Sequence, residues 1–212
     1  MPKPTKSTRP KGWRKAEIID AAAQCFMERG YHATSVDDVA NRMNATKGRI
    51  YHHYATKTDL FFDVHREGMA RLFAAIAPVL EDTSLGPRNR LIGLLQAHAR
   101  AMMDHHTFET VVAQGVQVHR FDQTTEDQRQ TMRDLISTRD DFESIFKTAL
   151  QQAVDAGQVA PCDTSVTVKV LLGGLQWSLF WYRPKPRETA ADRADLADKM
   201  VAPLIHGLTA PD

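Results

Sequence analysis

The stretch "TSVDDVANRMNATKGRIYHHY", Thr34 to Tyr54, decides the fold. Its first half reads as a short helix. Ser35 is placed to cap it, Asp38 closes a capping box, and Val36, Val39, Ala40 and Met43 repeat at helical spacing. Asn44-Ala45 then makes a tight turn, because Asn tolerates left-handed backbone better than most residues. Thr46 is placed to cap a second helix, "TKGRIYHHY", which has no acid, two basic residues, two His and two Tyr. At about 3.6 residues per turn, Ile50 and Tyr54 face inward over Met43. Lys47 and Tyr51 share an outer line, with Thr46, Gly48, Arg49 and His52 around the N-terminal part. The outward groups are cationic or hydroxylic, and Gly48 removes a side chain where close approach is wanted.

Helix, short turn and helix form a helix-turn-helix whose second helix enters the DNA major groove. Arg49 can fork onto guanine, and Thr46, Lys47 and Tyr51 can bond phosphates or bases. The charge pattern agrees. Residues 1–57 carry 11 Lys and Arg against 5 Asp and Glu, whereas the whole chain has a net charge of only +1. Residues 1–12, "MPKPTKSTRPKG", are rich in Pro and basic residues without an acid and read as a disordered arm. Lys57 stands at the start of the following helix behind Thr56, where the helix dipole disfavours a cation. A DNA phosphate there would remove the conflict, so Lys57 is expected at the backbone.

The 212 residues are 42% hydrophobic and 25% charged, an ordinary soluble balance. The most apolar run, Val170 to Tyr182, is too short for a bilayer core of roughly 30 Å. Cys25 and Cys162 show no metal-ligand or redox spacing, and no signal peptide is evident. A reduced cytoplasmic protein with no membrane contact is expected. Helical periodicity also marks a first helix of the head over about 14–29, and beyond the head it continues over about 58–77, 88–104, 107–119, 125–156, 163–182 and 188–208. The fold class is therefore all-α: an arm over 1–12, a three-helix DNA-binding domain over 13–57, and a larger helical domain over 58–212. No phosphate loop, nucleophile elbow or metalloprotease motif occurs, so an enzyme is not expected.

Residues 16–60 resemble the DNA-binding domain of the TetR family of bacterial transcriptional regulators. The resemblance rests on the Ala-rich first helix with Phe26, on Gly30-Tyr31 and on Thr34-Ser35-Val36. Val39-Ala40, Lys47-Gly48, Ile50-Tyr51 and Lys57 complete it. Asn44 stands where the family has Gly, Ala45 where Val is common, Thr46 for Ser and Tyr54 for Phe. The resemblance implies contact with a double-stranded DNA operator through Ser35, Thr46, Lys47, Gly48, Arg49, Tyr51, His52 and Lys57. It also implies a homodimer and a small-molecule inducer held in the larger domain, with no cofactor.

Gly173-Gly174 inside an apolar helix makes sense where another backbone approaches. With Leu175, Leu204 and Leu208 this pair forms the expected dimer seam. The expected ligand pocket takes Leu94, His98, Met102, Phe142, Phe146, Trp177 and Trp181, with Val112 and Ile145 beside them. His98, His105 and His106 match no metal-ligand spacing, so no metal is expected. Residues 139–187 resemble the C-terminal domain of TetR-type regulators of fatty-acid and steroid-ring catabolism. That implies an acyl-CoA inducer, with Arg139 or Arg183 near its phosphates or carbonyls. The alternative is an efflux or other operon induced by a lipophilic ligand without CoA.

Overall fold

The turn forms by the local chemistry its residues supply. In the computed structural model, which describes residues 15–115 and 125–208, Asn44 adopts φ 51°. The Ala45 amide returns to the Ala40 carbonyl at 2.9 Å. Helix α2 (Val36–Arg42) opens on the reciprocal Ser35–Asp38 capping box. Helix α3 (Lys47–Tyr51) begins behind Thr46, whose backbone is that of a cap. The Thr46 hydroxyl makes no capping hydrogen bond, so its expected capping role is positional only. Helix α1 (Lys15–Ala33) buries Ile18, Ala22, Cys25 and Phe26 and breaks at Gly30, φ 77°. Beyond that break the Thr34 hydroxyl donates to the Cys25 and Gly30 carbonyls at 3.0 and 2.8 Å.

The remaining chain is helical too. Helix α4 (Lys57–Glu81) is followed by α5 (Pro87–Asp104), α6 (His106–Gly115) and α7 (Glu126–Asp155). Helices α8 (Thr164–Gln176), α9 (Ser178–Trp181) and α10 (Ala190–His206) complete it. Among the described residues there is no strand. The single helix expected over 163–182 is two, because the Phe180 amide bonds the Trp177 carbonyl at 3.1 Å and starts a tighter turn. The expected arm over 1–12, and the end of the segment expected over 107–119, lie outside the described residues.

Two apolar cores result. One joins α1, α2 and α3 to Leu60, Phe61, Phe62 and Val64 of α4, and to Phe108, Val111 and Leu135. The other fills the body from Met69, Leu72 and Ile76 of α4 onward. The boundary expected at 57 thus falls at the first residue of a helix that belongs to both cores.

Lys57 corrects the sequence reading most clearly. Its Nζ donates to the carbonyls of Tyr31 (2.8 Å), His32 (3.3 Å) and Thr34 (2.8 Å) and lies 4.3 Å from the centre of the Tyr31 ring. The dipole conflict is settled inside the protein: carbonyls at the end of α1 take the cation that was assigned to a phosphate. Lys57→Met is therefore expected to lower stability by about 2 kcal/mol, the scale of hydrogen bonds to a charged donor. Denaturant unfolding of the two proteins measures this, and equal midpoints and slopes would contradict the clip.

Candidate DNA-reading face and ligand cavity

Helix α3 is anchored from below. Ile50 and Tyr54 are buried, and the Tyr54 hydroxyl donates to Asp63 Oδ2 at 3.1 Å. Asp63 also holds Lys15 and Arg66, each at 2.5 Å, so a Tyr in place of Phe here adds a polar tie to α4. On the outer side Ser35, Thr46, Lys47, Gly48, Arg49, Tyr51 and His52 are all exposed and close in space along α2 and α3. Tyr51 is 50% exposed, a large fraction for an aromatic side chain on a folded surface. Lys47 meets Asp37 at 3.8 Å and in solvent, a pairing worth little. A Cβ built on Gly48 would meet nothing within 4 Å, so the protein's own packing does not require glycine there. Of the expected DNA residues only Lys57 stands apart, turned into the α1–α4 joint.

In the body, α4, α5, α6, α7 and α8 line a cavity of about 320 Å³ that opens to the surface beside Arg139, Lys169 and Gly173. Met69, Leu72, Met102, Val112 and Phe142 supply its apolar wall. A larger groove of about 690 Å³ runs along Lys185–Lys199, but exposed charged residues line it and it lies outside the bundle. His98, Met102 and Phe142 therefore line the cavity as expected, with Val112. Leu94 and Phe146 stand behind it as fully buried core, and Phe146 packs on two of its lining rings, Phe142 at 5.2 Å and His98 at 5.7 Å. Ile145 is packed against the body core without lining the cavity.

Trp177 and Trp181 are corrected outright. They are 61% and 47% exposed, on the outer side of α8 and α9 with Val166, Val170 and Phe180. Helix α8 is apolar on several sides, and Leu171 and Leu175 take the inner one. Leu175, 1% exposed, leaves the expected seam for the core. Gly173 and Gly174 are exposed, and Leu204 lies 3.6 Å from where a Gly174 Cβ would stand. Leu208 is half-buried against the body core. Arg139 borders the cavity with the Lys169–Glu143 ion pair, whereas Arg183 bonds the Tyr182 carbonyl at 2.8 Å away from it.

The residue that sequence reasoning missed is Glu109 on α6. It lines the cavity, is 1% exposed, and neither carboxyl oxygen has a hydrogen-bond partner among the described residues. Its position was visible, since Glu109 falls three residues before Val112 on the buried side of α6. Burial pushes its acid well above the usual carboxylate range, and the Arg71 charge opposes this only in part. His98 faces the same cavity with an unpartnered Nδ1, and burial pulls its pKa down to about 4. At neutral pH His98 is thus uncharged, and Glu109 holds its proton to higher pH than an ordinary carboxyl does. Among the described residues no His, Cys, Asp and Glu side chains gather as a metal site, His98, His105 and His106 included. No described helix is long and apolar enough to cross a membrane.

Residues 18–64 match the family described as bacterial regulatory proteins, tetR family. Residues 84–208 match the one described as tetracyclin repressor-like, C-terminal domain. This chain belongs to the TetR family. It is a DNA-binding regulator. Over 201 residues it is 27% identical to the HTH-type transcriptional repressor KstR2 of Mycobacterium tuberculosis, spanning 92% of this chain and 93% of that one. The solved structure of the ketosteroid transcriptional regulator KstR2 of Mycobacterium tuberculosis shares the fold. Its TM-score is 0.79 at 24% identity, over 95% of this chain and 98% of that one. The TetR family regulator PfmR from Thermus thermophilus superposes at 0.75 with 26% identity, over 91% and 99% of the two chains. AibR, in complex with isovaleryl coenzyme A and operator DNA, superposes at 0.72 with 25% identity, over 90% and 97%.

The buried acid has a consequence for stability in this TetR-family fold. Above pH 4.5, its ordinary pKa, the unfolded chain releases the Glu109 proton while the folded chain keeps it. This group therefore subtracts stability as pH rises from there. Glu109→Gln is expected to gain on the native protein as pH rises above 5, as read by denaturant midpoints. An unchanged difference would show that the folded carboxyl is ionised.

Proposed function

We propose that the protein is a homodimeric, ligand-responsive repressor. Its two α3 helices read a pseudo-palindromic operator, and a small molecule held in the α4–α8 cavity releases it. The observation that carries the DNA half is the acid-free outer side of α3, where Thr46, Lys47, Gly48, Arg49, Tyr51 and His52 are exposed together. Ile50 and Tyr54 hold that surface rigid from below. The KstR2 relatives, named as repressors, support the sign of regulation. In a dimer the two heads meet half-sites roughly 34–36 Å apart, and a ligand that changes their spacing lowers affinity.

The dimer reading draws on the outer side of α8 and α9. Val166, Val170, Trp177, Phe180 and Trp181 are all more than a third exposed, and Trp177 packs on Phe180, an apolar exposure of the kind that marks an interface. Gly174 on the same helix is exposed and faces Leu204, while Gly173 lies at the mouth of the cavity. Leu204 and Leu208 of the last helix and the turn after it flank that region.

For the ligand we favour an acyl-CoA thioester, the acyl group inside and the nucleotide end outside past Arg139. AibR, which shares this fold, was solved with isovaleryl coenzyme A, and a volume of about 320 Å³ suits a short acyl group. The second reading is a lipophilic ligand without CoA. The apolar side chains of Met69, Leu72, Met102, Val112, Phe142 and Leu172 favour it, as does the neutralisation of Lys169 by Glu143.

Binding to the protein's own upstream DNA, followed by fluorescence anisotropy over a salt series, tests the interface. Lys47→Ala is expected to flatten the log–log salt slope by about one unit, and Lys57→Met to leave it unchanged. Gly48→Ala is expected to weaken binding about tenfold with stability unchanged or raised, since Ala is favoured in helices by about 1 kcal/mol. A slope insensitive to Lys47 would remove α3 from the DNA. Sedimentation tests the seam: Trp177→Glu is expected to weaken the dimer at least about 30-fold, the scale of an interface hot spot of about 2 kcal/mol. A native protein that sediments as a monomer would end the dimer reading.

A further inference from the structure

We propose that the ligand carries an uncharged oxygen function, a carbonyl or a hydroxyl, on the part that enters the cavity, and that Glu109 and His98 recognise it. This rests on the cavity being the ligand site, and it adds the chemistry of the buried end. Glu109 comes from α6 and His98 from α5, and both line the buried side of the same cavity. Both carboxyl oxygens and the His98 Nδ1 are buried without a partner among the described residues.

A structural role would show itself as a hydrogen bond or an ion pair inside the protein. Arg71 is the nearest cation acting on Glu109, yet it bonds Glu67 at 2.9 Å and lies over the Phe108 ring. A purely hydrocarbon ligand would leave the two polar groups as starved as before and remove any water from them. A ligand oxygen relieves both. A neutral carboxyl offers a donor and an acceptor, and a neutral imidazole offers one of each. An anionic group beside Glu109 is disfavoured, because it would bury a charge next to an acid whose neighbouring cation, Arg71, is already paired with Glu67. The charged end of the ligand belongs instead at the Arg139 side. The space equals about ten waters at roughly 30 Å³ each, so the buried part is a body of about eight to ten heavy atoms.

Eight-carbon probes separate the possibilities by isothermal titration calorimetry: octanoyl-CoA, its 5-oxo and 7-oxo forms, 2-octanone and octylamine. They are titrated into the native protein, Glu109→Gln and Glu109→Leu. The expected result is at least one oxo thioester binding tenfold or more tighter than octanoyl-CoA. That preference is kept by Glu109→Gln and lost in Glu109→Leu, which gains thermal stability without ligand. Octanoyl-CoA binding as well as both oxo forms overturns the inference and leaves the acyl-CoA reading intact. Binding of 2-octanone that needs Glu109, with no thioester bound, sustains the inference and ends the acyl-CoA reading. Octylamine binding tighter than 2-octanone, a Glu109→Leu protein less stable than native, or no binding by any probe overturns it.

Discussion

Helix α6 has no spare side. Phe108 and Val111 belong to the core that carries the DNA-reading head, while Glu109 and Val112 line the cavity. Its backbone is pressed onto α4 near both ends. A Cβ on Gly68 would stand 2.5 Å from Val112 Cγ2, and one on Gly115 would stand 2.7 Å from the His65 ring. The Gln114 amide also reaches the Phe26 carbonyl of α1 at 3.3 Å. Close-packed contacts of this kind shift between discrete arrangements and do not yield gradually. An object that displaces α6 from the cavity side therefore moves α1 and α4, and these two helices are clipped together by Lys57 at the base of the head.

The same region concentrates the fold's least comfortable groups. Glu109, His98 and His65 are each buried with an unpartnered polar atom among the described residues. Each such group costs roughly 1–3 kcal/mol, against a total stability of about 5–15 kcal/mol for a typical domain. His65 stands against Gly115, and burial lowers its pKa to about 4, so it too is held neutral. Apolar residues of similar size would make a firmer body. Among the described residues, the α4–α6 contact and the cavity hold these three groups and the Gln114 Oε1, while the Ser178 Oγ on α9 is a further one outside them.

What the sequence displayed, and what it hid, follows the range of the interactions. Caps and turns depend on neighbours three or four residues away, so the Ser35–Asp38 box, the Asn44 turn and the inward Ile50 were legible. Lys57 was misassigned because its carbonyl partners lie 23 to 26 residues earlier in the chain and meet it only when α1 packs on α4. Periodicity failed at α8 and α9 for another reason. A helix with Leu171, Leu175 and Leu179 on one side and Val166, Val170 and Trp177 on another is apolar on both, and spacing alone does not say which is inside. Glu109 was hidden by composition, since an acid in a helix ordinarily marks a solvated position.

The exposed apolar surface of α8 and α9 and the strained polar cavity then become parts of one device. A ligand shifts an equilibrium only by its difference in affinity for the two forms, and a swing from 1:99 to 99:1 needs about 5.5 kcal/mol. Satisfying two orphaned polar groups supplies a difference of that order, provided the relieved arrangement of α6 differs from the DNA-binding one. The displacement must then appear between the heads and not be absorbed elsewhere. In the proposed dimer, large aromatic side chains at Trp177, Phe180 and Trp181 fix the two bodies against each other. The head ends of α1 and α4, joined through Lys57, are left as the parts free to turn. Weaken that seam and the same ligand energy would be spent in slippage between bodies, which is why the site and the interface have to be read together.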